Sequence, residues 1–131
     1  MLMPVAVLIV LLLGAIAVDL SAVRLAHRDL LDLASGAAND AATDGLDPAE
    51  FRRTGTYEID LDRAYAALDR TIQRRRLAHP VTHRLVTAGP GPSEVTVELE
   101  MSVPYFFAKS LPGAPHDSTV RARATAGALQ R

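Results

Sequence analysis

Hydrophobic and polar positions change rhythm three times along this chain of 131 residues. From Val5 to Val18 every residue is apolar, and Leu20 extends the run past Asp19. A helix of 18 to 20 such residues, rising ~1.5 Å each, reaches roughly 27–30 Å, about one hydrocarbon core. The pattern predicts a membrane-spanning segment over residues 1–20, with Val5, Leu8, Ile9, Leu12, Leu13 and Ile16 as its anchoring side chains. Pro4 suits the first helical turn, where its missing N–H costs nothing. Gly14 is acceptable in a helix surrounded by lipid. A cleaved secretory signal is the alternative, because Ala15-Ile16-Ala17 fits a small-x-small cleavage site. No Lys or Arg precedes the run, and the helical pattern passes straight through that site.

After Asp19 the rhythm becomes helical and amphipathic. Val23, Leu30, Ala34, Ala37 and Ala41 share one face. The later part of that face (Ala34, Ala37, Ala38, Ala41, Ala42) is built of small side chains, which lets another helix backbone come close. Gly45 is placed to stop the helix. Asp47-Pro48 reads as an N-cap and first helical residue of a short turn through Phe51. The expectation is one helix of roughly forty residues, well above the globular average. Its first half lies in lipid, and its second half, residues 21–45, forms a stem.

Residues 46–131 read as a small α+β head. Asp60 or Asp62 caps a helix whose apolar positions are Leu61, Ala64, Tyr65, Leu68 and Ile72. His79-Pro80 is expected to stop that helix. Val81–Val86 is a short strand signal. Glu94–Val103 alternates strictly, with Val95, Val97, Leu99, Met101 and Val103 on one face. Thr119–Ala126 alternates again, with Val120, Ala122 and Ala124 inward. Antiparallel pairing of the last two strands would set Glu98 and Glu100 against Arg121 and Arg123. Pro104 ends the longer strand, and Tyr105-Phe106-Phe107 is expected to fold back over the sheet edge. One helix and three strands give a core of about a dozen side chains, marginal alone. The stem or neighbouring subunits are expected to cover part of it.

Composition changes this picture little. The chain is 49% hydrophobic but only 5% aromatic, and the excess is aliphatic residue in the span and alanine in the stem. The absence of cysteine excludes a disulfide scaffold, a Cys-ligated zinc site and a thiol nucleophile. A net charge of −1 argues against a basic nucleic-acid binder. Charge is uneven: residues 19–50 hold seven acids and two Arg, whereas residues 51–131 are net basic. An acidic stem beneath a basic head would favour packing between copies.

No motif for a catalytic nucleophile, a phosphate loop, a zinc protease or a dinucleotide site is present. His79 and His83 are separated by Pro80, so they do not share a helix. Arg70, Arg74, Arg75 and Arg76 suit a helix C-terminus and are also capable of meeting phosphates. A deep cleft joining His79, His83 and His116 would be needed to revive an anchored enzyme. No catalytic residue, cofactor, metal or small-molecule substrate is expected. Asp19 is the most suggestive single acid, placed to cap an interface or to meet a partner's cation.

The Leu2-Met3-Pro4-Val5 opening, Val18-Asp19-Leu20 followed by a charged helix, and the alanine-rich Leu33–Thr43 resemble the TadE/TadG-like proteins. These are pilin-like components linked to Flp-type (tight-adherence) pili. The head is similar too: a short helix opened by Ile-Asp, a valine-alternating strand, a Phe-Phe pair, and a last strand ending at Ala122, Ala124 and Ala126. The resemblance covers most of the chain and rests on Leu, Ala and Val spacings. Prepilin-like relatives carry a basic leader, a processing point and a Glu just inside the helix. The first acid here is Asp19, so the chain reads as an unprocessed anchored relative or as one whose start lies upstream. The resemblance implies a single-pass protein of the cytoplasmic membrane with its head outside, with the cell surface as a further location. Arg24 and Arg28 after the span argue mildly for the opposite orientation. Its implied partners are membrane lipid and other pilus-assembly subunits, met through Asp19, Arg24, Arg28, Ala34, Ala37 and Ala41.

Overall fold

A computed structural model describes residues 3–128. Leu2 of the Leu-x-Pro opening, with Met1 and residues 129–131, lies outside the described residues. The chain forms a long helix α1 (Met3–Asp44), a short helix α2 (Pro48–Thr54), a helix α3 (Leu61–Arg74), and strands β1 (Val81–Ala88), β2 (Glu94–Pro104) and β3 (Asp117–Gly127). The α+β class, the 42-residue helix and the antiparallel sheet in the order β1-β2-β3 agree with the sequence reading. The layout is pilin-like.

Local chemistry accounts for the element ends. The Asp47 carboxylate accepts from the Ala49 and Glu50 amides, with Pro48 in the first helical turn. The Asp60 carboxylate does the same for α3, accepting from the Asp62 and Arg63 amides. Strand register follows the alternation: Val97 faces Val86 on one side and Ala124 on the other. On the outer face Arg121 pairs with Glu100 at 2.7 Å and Arg123 with Glu98 at 3.2 Å. Such exposed cross-strand pairs contribute ~0.2–1 kcal/mol each.

The second half of α1 belongs to the head core. It supplies Ala26, Leu30, Leu33, Ala34, Ala37, Ala38, Ala41 and Ala42, eight of the eighteen residues of the main buried cluster. The inner sheet face supplies Val95, Val97, Leu99, Met101 and Val103, and α3 adds Ala64 and Leu68. Residues 21–45 are therefore not a free stem beneath a separate head. From Asp19 to Ala42 the helix rises roughly 35 Å, about the length of the eleven residues of β2. The chain climbs along α1, descends through α3, climbs through β1, descends through β2 and climbs through β3.

Charge complementarity between acidic stem and basic head is used inside the chain. The Arg70 guanidinium donates to Asp44 at 2.9 Å and the Thr71 hydroxyl to Asp40 at 2.6 Å. Three expectations need correction. Helix α3 ends at Arg74, short of His79-Pro80, because Arg75 takes an extended backbone and its amide makes the last helical bond, to the Thr71 carbonyl at 3.3 Å. Leu61, assigned to the apolar stripe of α3, is 41% exposed, because it sits in the first turn beyond the reach of α1. Gly45 ends α1 as expected, but without a left-handed backbone, which among the described glycines occurs at Gly55 and Gly113. Space is the requirement at Gly45. A Cβ there would collide with the Ala41 carbonyl and stand 3.3 Å from the Ala64 Cβ. Gly45→Ala should destabilise the head by ~1–3 kcal/mol, measurable by urea unfolding of the full chain in detergent.

Candidate functional site: the junction of apolar helix and head

The membrane-distal and membrane-like halves of α1 meet at Asp19. Below it Val5, Leu8, Ile9, Leu12, Leu13 and Ile16 are all exposed and touch no part of the head core. This is one helix long and apolar enough to cross a membrane. Asp19 itself is only 5% exposed, although helical periodicity alone gives no reason for an acid to be covered there.

The cover comes from the loop between β2 and β3. Pro104 closes β2, and the Tyr105 amide donates to the His116 carbonyl at 3.0 Å, which shuts the base of the loop. The chain then enters a 3-10 turn over Ala108–Ser110, whose first amides have no acceptor within the turn. Asp19 supplies it. Its Oδ1 accepts from Phe106 N at 2.7 Å and its Oδ2 from Ala108 N at 2.9 Å, while Phe107 N lies 3.2 and 3.3 Å from the two oxygens. One carboxylate thus satisfies three consecutive amides 87 to 89 residues away. Hydrogen bonds of this charge-assisted kind are among the stronger ones in proteins. The Lys109 ammonium adds a favourable field.

The arrangement positions the loop. Both oxygens of the Asp19 carboxylate accept from backbone amides, and the site fixes the height of the loop on α1. Asp19 is an intramolecular clasp, so the expected pairing with a partner's cation gives way to pairing with amides of the same chain. Sequence reading missed Phe106, Phe107 and Ala108 as its partners, because a backbone N–H carries no residue identity. The available signal was a solitary acid at the end of a charge-free run. Tyr105-Phe106-Phe107 does not fold over the sheet edge either. The Phe106 and Phe107 amides turn toward Asp19, and the two Phe rings are exposed.

The other expected contact residues separate into two groups. Arg24 and Arg28 are exposed, one to three turns above Asp19, and neither has an ion-pair partner among the described residues. Ala34, Ala37 and Ala41 are completely covered by the chain's own sheet and α3. The expected seam between copies is corrected by this burial: the small side chains admit the chain's own elements.

The three histidines do not converge. His79 and His83 line one open cavity of about 720 Å³ with Arg75 and Arg84, whereas His116 sits at the base of the β2–β3 loop. Among the described residues no group of three or more His, Cys, Asp or Glu is placed to hold a metal ion. Comparison with protein-family models, with curated proteins and with solved structures finds no match for this chain.

Proposed function

We propose that this chain is a membrane-anchored, pilin-like structural component of a Flp (tight-adherence) pilus or a related secretion machine. It acts by helix packing and head contacts and not by catalysis. The observation that carries this reading is the division of α1. Its first sixteen residues are apolar and bare, and the same unbroken helix continues as a core element of the head. An anchor and a head joined without a hinge transmit position rigidly, which suits an assembly part. The resemblance of the Val18-Asp19-Leu20 segment, the alanine-rich stem and the valine-alternating strand to TadE/TadG-like proteins gives the reading its name. The implied place is the cytoplasmic membrane, single-pass, head outside. With the alanine face occupied internally, contacts with other subunits fall to exposed groups such as Arg24 and Arg28.

Alkaline carbonate washing tests the anchor: the protein is expected to stay in the membrane pellet. Release into the supernatant, together with a mature N-terminus at Val18, would instead identify a signal-cleaved secreted binding domain. Protease added to spheroplasts should digest the head; protection would place it inside.

A further inference from the structure

The span-proximal end of the head carries an apolar surface that the fold leaves uncovered. Phe106 is 55% exposed, Phe107 51% and Leu111 54%. Three large hydrophobes therefore face outward within six residues, in a chain that has only six Phe and Tyr in total. Two of them, Phe106 and Phe107, carry amides that the Asp19 clasp holds. Their backbone is held in place, so the loop presents both rings at one height on α1.

Height decides what they face. Asp19 lies about 24 Å along α1 from Met3 at ~1.5 Å per residue, near the edge of a ~30 Å hydrocarbon layer. Phe106 also borders an apolar groove shared with Ala22 and Leu25 of α1. Ala22 and Leu25 in turn adjoin Ala17, Val18 and Ser21. A mainly apolar surface thus runs from the span to the loop, with Ser21 within it and Asp29 and His79 at the groove wall. Residues 105–116 contain no acid, and they include Lys109, the only lysine of the chain. Arg24 stands about 7.5 Å above Asp19 on the helix axis, within the headgroup layer.

We propose that the β2–β3 loop is a second membrane contact: Phe106, Phe107 and Leu111 enter the interfacial layer of the bilayer crossed by α1, and Lys109 and Arg24 meet anionic lipid phosphates. Aromatic and aliphatic side chains flanked by cations are the composition that favours this layer. The proposal rests on the anchored reading above. It adds that the head is seated on the lipid surface and held at one tilt.

The chain contains no tryptophan, so single-Trp variants of the full protein report position directly. Leu12→Trp, Phe107→Trp and Thr87→Trp are reconstituted into vesicles of phosphatidylcholine with phosphatidylglycerol, carrying spin labels at a shallow or a deep acyl position. Leu12→Trp should be quenched best by the deep label and Phe107→Trp severalfold better by the shallow label. Thr87→Trp, near the opposite end of the sheet, should be quenched by neither. Phe106→Trp provides a second loop probe should Phe107→Trp fail to fold. Arg24→Gln in the Phe107→Trp background, at a residue without an ion-pair partner among the described residues, should weaken shallow quenching in anionic vesicles and leave it unchanged in neutral ones. Quenched Leu12→Trp with loop probes no more quenched than Thr87→Trp, and open to aqueous iodide, would overturn the lipid contact while leaving the anchor standing. An unquenched Leu12→Trp would remove the anchor reading, and the loop proposal with it.

Discussion

Ala37→Trp is expected to unfold the head. Ala37 has no exposed surface and lies between Ala34 and Ala41 on the face of α1 that meets the sheet and α3. An indole there has nowhere to go, since the neighbouring elements are held by eight α1 residues and a three-stranded sheet in register. Overpacking by far smaller increments typically costs ~1–3 kcal/mol. An indole should cost more than that, a large share of the ~5–15 kcal/mol that holds a typical domain. Thermal unfolding followed by circular dichroism in detergent should show the sheet transition lost or displaced far downward. Ser35→Trp, on the exposed face two residues away, should leave that transition unchanged. A stable head in Ala37→Trp would mean that the alanine face opens readily. It would restore the idea that the face serves contacts between copies. Crosslinks lost in a folded Ser35→Trp protein would place such contacts on the outer face of α1.

Asp19→Ala should release the β2–β3 loop from α1. Three amides lose their acceptor together, and buried donors left unpaired are costly. Asp19→Asn keeps one acceptor oxygen and should fall between wild type and alanine. Amide hydrogen exchange at Phe106, Phe107 and Ala108 is expected to accelerate on the order of tenfold or more, while amides in the middle of β2 keep their protection. Equal acceleration throughout the sheet would show that the clasp holds the whole head, and unchanged exchange at the three amides would show that it holds nothing.

What the sequence made legible follows from what side-chain identity encodes. Strict alternation fixes which face of a strand is inward, so the inner row from Val95 to Val103 could be read directly. Once two alternating strands pair, the opposed charges at Glu98, Glu100, Arg121 and Arg123 select the register, and the two ion pairs occur as expected. The uncharged run marked the half of α1 that is apolar and long enough to cross a membrane, and the steps among Val23, Leu30, Ala34, Ala37 and Ala41 marked its buried face. The occupant of that face was not legible. Small residues at helical spacing accept a second copy and the chain's own sheet equally well, and only long-range pairing distinguishes them. The Asp19 clasp was illegible for a related reason: its partners are peptide groups. The aromatic triplet misled because hydrophobicity favours burial, whereas Asp19 captures the Phe106 and Phe107 amides and both Phe rings stay exposed.

The separation between Asp19 and the amides it holds also dictates a timetable. Ribosomes add about 5–20 residues per second, so Asp19 waits roughly 4–18 s for Phe106 through Ala108 to be made. β3, which completes the sheet over α1, is later still. Local contacts cannot shorten this delay, because the loop being closed is most of the protein. α3, β1 and β2 are all made within that interval, whereas β3 follows only after the amides that Asp19 holds. A nascent chain therefore has α1 without the strand that completes its cover, and a chaperone or a holding factor has its longest opportunity before residue 117 emerges.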